Sequence, residues 1–163
     1  MDKTKGWDAE ENRFAALFRW RVFNCPSYPE RPPVSALVPT HYLGASGVGP
    51  DAVALPADAP GAGFFGYERK LTLADLPRPA ADVLMVIETC NASGAWTAAG
   101  PPTVRGLGPS RPPYLGASGT FGGNHPGGAN AVFADCSVRF LSDQMGPREL
   151  EALVRVNRPA AGE

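Results

Sequence analysis

The chain has 163 residues, 44% of them apolar and 19% charged, with a formal net charge of −1. That length predicts one domain spanning residues 1–163 and able to bury a working core. The near-neutral balance gives no footprint for nucleic acid, and no apolar run approaches the roughly 18 residues of a membrane span, so neither partner is expected.

The first residues, Met1 to Gly6, carry basic side chains without an apolar run after them, so they do not read as a secretory signal. With 19 Gly and 18 Pro, against a usual combined share of about 12%, a helix bundle is excluded. Short strands joined by long, turn-rich loops are expected instead. Asp8 and Glu11 make a variant capping box, and Phe14, Leu17 and Phe18 fall at helical spacing, which predicts a short amphipathic helix over about residues 9–19. Arg19 to Phe23 alternates polar and apolar as a half-buried strand does, with Trp20, Val22 and Phe23 in the core. Tyr28 to Pro39 reads as an extended proline-rich loop, and Thr40 to Ala45 as a short strand. Phe64 to Tyr67 opens a second ordered patch, and Leu71 to Leu76 is a helical turn or a strand end.

Val83 to Thr89 is the clearest central strand, apolar enough to be buried on both faces through Ile87. Ser93 to Arg105 and Gly106 to Gly123 read as loops. Ala131–Ala134 and Ser137–Leu141 are two short β-rich runs, and the step Asp135-Cys136 between them has the length of a two-residue hairpin turn. Pro147 suits the first position of a C-terminal helix whose Leu150, Leu153 and Val154 share a face, ending at Arg158-Pro159. The expected fold class is therefore α+β: a mainly antiparallel sheet with long Gly/Pro-rich loops and short flanking helices.

Cys25, Cys90 and Cys136 contain no Cys-x-x-Cys pair, so the count allows one disulfide with a thiol left over or three free thiols. It predicts no zinc site. Glu88, at the end of an apolar strand, must accept hydrogen bonds if it is buried, from loop N–H groups or an arginine. His125, Asp135 and Glu88 are the residues that would meet around a metal. The preferred reading is structural, with His125 bonding the glycine loop and Asp135 capping its own turn. No Gly-x-Ser-x-Gly elbow or phosphate-binding loop is present, so no catalytic residues, cofactor or metal are assigned. Trp96, Tyr114 and Phe121 lie in Gly/Pro loops, where aromatic residues form a binding surface or cover a sheet edge.

The pattern from His125 through nine residues to Asp135, then Ser137-Val138-Arg139-Phe140-Leu141, resembles the C-terminal signature of a bacterial pseudopilin-like family of unknown function. Cys136 stands where that family has glycine, so His125, Asp135 and Cys136 are the signature positions. The likeness extends to Gly6-Trp7-Asp8 with Asn12, to Val22-Phe23-Asn24-Cys25-Pro26-Ser27, and to Thr40-His41-Tyr42. Gly63-Phe64-Phe65-Gly66 and Leu84-Met85-Val86-Ile87-Glu88 continue it. Arg78-Pro79-Ala80-Ala81 departs from the family's Asp-Gly-Thr-Ser. The resemblance implies a pilin-type globular head, normally preceded by a leader and a long apolar helix that these residues lack. It further implies an extracytoplasmic location, and other pseudopilin-like or secretion-apparatus proteins as partners. The expected role is a non-catalytic structural or interaction domain of an extracytoplasmic filament or secretion apparatus. The alternative is a binding module that takes carbohydrate or another exported macromolecule at the loops around Trp96 and Tyr114.

Overall fold

A computed structural model describes residues 1–28, 37–91, 93–108, 113–116 and 118–157. Most of the Tyr28–Pro39 loop, part of the Gly106–Gly123 loop and the end at Arg158-Pro159 lie outside the described residues. The expected α+β architecture is present, as one mixed five-stranded sheet with two short helices. The strands are β1 (Tyr42–Val48), β2 (Leu84–Glu88), β3 (Val104–Leu107), β4 (Gly128–Phe133) and β5 (Val138–Ser142). Their spatial order is β3-β1-β2-β4-β5. Three of the pairings are antiparallel, and only β1 with β3 is parallel.

The core gathers on this sheet. Leu43, Leu84, Ile87, Leu107, Phe121 and Phe133 are buried together with Leu150 and Val154 of α2 (Pro147–Val154). The proline at the first position of α2 costs nothing, because that N–H has no intrahelical partner. Arg78 donates to the carbonyls of Ala152 (2.6 Å) and Arg155 (3.3 Å) at the other end of the helix. Helix ends leave such carbonyls orphaned, so Arg78 serves as a C-terminal cap.

Gly44 to Gly47 in the middle of β1 are all small, and other chain segments press closely on them. A Cβ added at Gly47 would lie 2.0 Å from the Gly61 carbonyl oxygen, and Gly47 has φ of +119°. The amide of Gly63 donates to Ser46 O at 2.7 Å across the same close approach.

Four expectations are corrected. α1 spans Glu10–Leu17 behind Ala9, with no side-chain cap, so Asp8 and Glu11 do not form a capping box. Arg19–Phe23 is not a strand but runs into a single 3-10 turn at Arg21–Phe23, leaving Trp20 and Val22 exposed. β3 occupies part of what read as loop. In β2, Met85 and Val86 are only half-buried, so the strand is not sealed on both faces.

The β4–β5 hairpin is present, but its turn is longer by one residue than expected. Cys136 N donates to Phe133 O (2.9 Å) and Phe133 N donates to Ser137 O (2.9 Å). Phe133 thus closes a three-residue loop, Ala134-Asp135-Cys136, of the kind that ends in a left-handed bulge residue. Cys136 takes that position with φ of 67°, while Asp135 does not have positive φ. The two-residue type I′ turn, which needs positive φ at both positions, is therefore replaced.

Candidate functional site

The N-terminal segment, the end of β2 and the loop entering β4 converge on one point. Glu88 closes β2 and is fully buried. Its Oε2 accepts from the backbone N–H (3.1 Å) and the side-chain amide (3.0 Å) of Asn130 in β4. Gly123 leaves room for this carboxylate, since a Cβ there would lie 3.1 Å from Oε2. The expectation that a buried Glu88 needs partners holds, with an asparagine supplying them rather than an arginine.

Oε1 is placed differently. It lies 3.2 Å from His125 Nε2, yet the contact lacks hydrogen-bond geometry and this buried oxygen has no donor. His125 is carried by the Gly/Pro loop just ahead of β4, and its side chain remains 28% exposed. The same Nε2 lies 3.5 Å from Cys25 Sγ. His125 therefore faces a thiol and a carboxylate, rather than the glycine loop expected for it.

Cys25 is positioned from both sides. Its N–H donates to His41 Nδ1 at 3.0 Å, and His41 N–H donates back to Phe23 O at 2.8 Å. Asn24 donates to Pro39 O at 2.8 Å, and the Tyr28 ring lies 4.3 Å from the His41 ring. His41 O in turn accepts from Thr89 N at 2.8 Å, tying this corner to the end of β2. Burial pushes the Cys25 thiol up to about 11, reinforced by the neighbouring Glu88 carboxylate. Burial first and the Glu88 charge second raise Tyr42 to about 12 and push Cys90 upward. A thiol raised so far and 3% exposed is a poor nucleophile. All three cysteines are free, so the disulfide alternative is not realised.

Asp135 does not join this cluster. It sits at the opposite end of β4, whose five residue steps span about 17 Å. There its Oδ1 accepts from the amide (2.9 Å) and hydroxyl (2.6 Å) of Ser137, the turn-capping role expected of it. Those two bonds hold its carboxyl below the usual range. Cys136 is exposed beside it.

The three loop aromatics do not share a surface. Phe121 is fully buried in the core. Tyr114 is 8% exposed and donates from its hydroxyl to Glu151 Oε1 at 2.7 Å. Trp96 is half-buried, stacked on Phe23 at 5.2 Å, and its Nε1 donates to Phe18 O at 3.1 Å. Each aromatic finds an apolar wall nearby, and loop composition alone gives no sign of that.

Exposed apolar residues lie in several places, with Val138 and Phe140 on β5, Tyr67 and Leu73 in loops, and a group near the N-terminus. Phe14 (79%), Phe18 (46%), Trp20 (49%) and Val22 (72%) are exposed within one short stretch. Trp7, Ala16 and Leu37 line a groove nearby with Asp8 and Arg13. Trp20 and Val22 were expected in the core, and Cys25 was not expected as a partner of Glu88 and His125. The one signal for Cys25 was its place in the Val-Phe-x-Cys-Pro-Ser segment.

Fold and site together define an α+β sheet domain with a buried thiol–carboxylate–imidazole cluster. A family model described as a protein of unknown function (DUF1559) matches residues 85–148. That span takes in most of β2, all of β3 to β5 and the first residues of α2. Glu88 and His125 fall inside it, while Cys25 falls outside. No curated protein and no solved structure matches the chain.

Proposed function

We propose that this chain is a non-catalytic structural or interaction domain of a pseudopilin-like protein, working in an extracytoplasmic filament or secretion apparatus. The observation that carries the reading is the exposed apolar stretch of Phe14, Phe18, Trp20 and Val22. Apolar side chains exposed side by side, as Phe18 and Trp20 are with ring centroids 4.7 Å apart, mark a surface used for association. In the pseudopilin-like family this segment follows the long apolar helix, so the strip lies where neighbouring subunits would meet. The raised pKa and burial of Cys25 argue against a thiol nucleophile and favour a role without catalysis. The carbohydrate-binding alternative loses two of its three aromatic residues to the core.

The test is a photo-crosslinking residue at position 14 or 22, with the protein expressed in its own cell. Adducts with pilin-like envelope proteins or with further copies of this chain are expected. Adducts confined to cytoplasmic proteins, or saturable binding on a glycan array lost in Trp96→Ala, would overturn the reading.

A further inference from the structure

We propose that Cys25 Sγ, Glu88 Oε1 and His125 Nε2 form a three-ligand site for a zinc ion, which pins the N-terminal segment to the sheet. The site is independent of any filament role. A tetrahedral zinc with bonds of about 2.3 Å to sulfur and about 2.0 Å to nitrogen and oxygen holds S and N about 3.5 Å apart, and N and O about 3.3 Å apart. The observed separations are 3.5 Å for Cys25 Sγ to His125 Nε2 and 3.2 Å for His125 Nε2 to Glu88 Oε1. One ligand atom from each residue lies within 4.8 Å of the others. Two edges of the coordination polyhedron are thus at bonding length before an ion enters.

Glu88 Oε2 takes two bonds from Asn130, whereas the fully buried Oε1 takes none and points at the histidine. A buried polar atom without a partner is costly, so it calls for an explanation. Metal-ligating carboxylates characteristically have their other oxygen held by a neighbouring donor, which is the part Asn130 plays. His41 plays the equivalent part for Cys25. Because its Nδ1 accepts the Cys25 N–H, the neutral ring carries its proton on Nε2, so His41 orients the ligand and does not bind the ion.

The donor set selects the metal. A thiolate with an imidazole suits zinc and the later first-row ions, whereas calcium and magnesium want oxygen alone. Three protein ligands leave a fourth position, and the partly exposed face of His125 lets water fill it. On binding, the thiol gives its proton to solvent and the zinc–sulfur bond forms in its place.

The experiment titrates the full chain, stripped by chelator, with Co²⁺ and then Zn²⁺. The expected result is one Co²⁺ per chain, with the intense visible bands of a four-coordinate site and thiolate charge transfer in the near ultraviolet, both abolished by Zn²⁺. Glu88→Gln keeps an oxygen acceptor for Asn130 and should fold, as circular dichroism will check. Losing a ligand should weaken its binding by more than the roughly 10–100-fold that outer-shell changes cause. Cys25→Ser should remove the charge transfer, and Cys136→Ser should leave it intact. Zn²⁺ should also slow trypsin cleavage after the exposed Arg19 and Arg21 in the parent chain. Weak octahedral bands, a signal that follows Cys136, equal affinity in Glu88→Gln, or cleavage indifferent to Zn²⁺ would each overturn the proposal.

Discussion

The two ends of this chain each carry a helix of eight residues, and they bury opposite kinds of side chain. α2 turns Leu150 (2% exposed) and Val154 (1%) inward, as its apolar spacing dictates. α1 turns Asn12 (0%) and Ala16 (1%) inward and leaves Phe14 in solvent. Asn12 is inward because the N-terminal turn is built on its amide. Its Nδ2 donates to Asp2 O (2.9 Å) and Gly6 O (2.8 Å), and its Oδ1 accepts from Asp2 N (2.6 Å). Residues two apart on a helix lie about 200° apart, so an inward Asn12 commits Phe14 to the outside. Apolar spacing identifies an amphipathic helix, while satisfied hydrogen bonds decide which face the protein keeps.

The contrast is broken most sharply by trimming one side chain from each helix. Leu150→Ala should cost about 2–5 kcal/mol, because it opens a cavity in a packed core. Phe14→Ala should stay within about 0.5 kcal/mol, as surface substitutions do. Equal melting temperatures for the two variants would mean that Phe14 packs in solution. Next in size, Asn12→Ala leaves several backbone groups without their partner and should cost about 1–3 kcal/mol in a urea titration. A smaller loss would mean that water replaces the amide at little cost.

The C-terminal region supplies two smaller effects. Cys136 holds a left-handed conformation that costs a residue with a Cβ about 1–2 kcal/mol. Glycine relieves that strain but gives the unfolded chain about 0.4–1 kcal/mol of extra freedom. Cys136→Gly should therefore raise stability by up to about 1 kcal/mol, or about 2–4 °C in melting temperature for a chain of this size. A lower melting temperature would mean that the thiol makes contacts that offset the strain. The smallest effect is that of Asp135, whose carboxyl the Ser137 hydroxyl and amide hold below its ordinary pKa. Its contribution is in place above the ordinary value and is lost as pH falls through the lowered one. Denaturant midpoints at pH 7 and near pH 2.5 should separate slightly less in Asp135→Asn than in the parent. An identical separation would mean that the bonds from Ser137 do not persist in solution.

Much of the C-terminal half was legible because its signals are local. Pro147 with Leu150 and Val154 specifies a helix, two β-rich runs specify a hairpin, and Val83–Ile87 is too apolar to lie outside. β3 escaped because Val104-Arg105-Gly106-Leu107 has neither alternation nor an apolar run, and it is a strand only through its parallel partner. At the candidate site, Glu88 was legible from the cost of burying a carboxylate. His125 stood out through a resemblance to a family signature, but not as a neighbour of Glu88. Cys25 lies 100 residues from His125 in sequence, and no local rule joins residues so far apart. The turn at Cys136 was read one residue short, because the strands close at Phe133 and Ser137.

The strand order has a consequence for the time course of folding. β4 and β5 are joined by three residues, and a hairpin of that kind closes in about 1–10 μs. β1 lies between β2 and β3, both of which come later in the chain. During synthesis β1 must therefore wait for both of its neighbours, and its parallel pairing with β3 closes the longer loop. Such non-local pairings place a domain in the slower, roughly millisecond-to-second class. Throughout that wait, β1 presents two unpaired edges made largely of glycine, alanine and serine. Small side chains of this kind offer little for another chain to stick to.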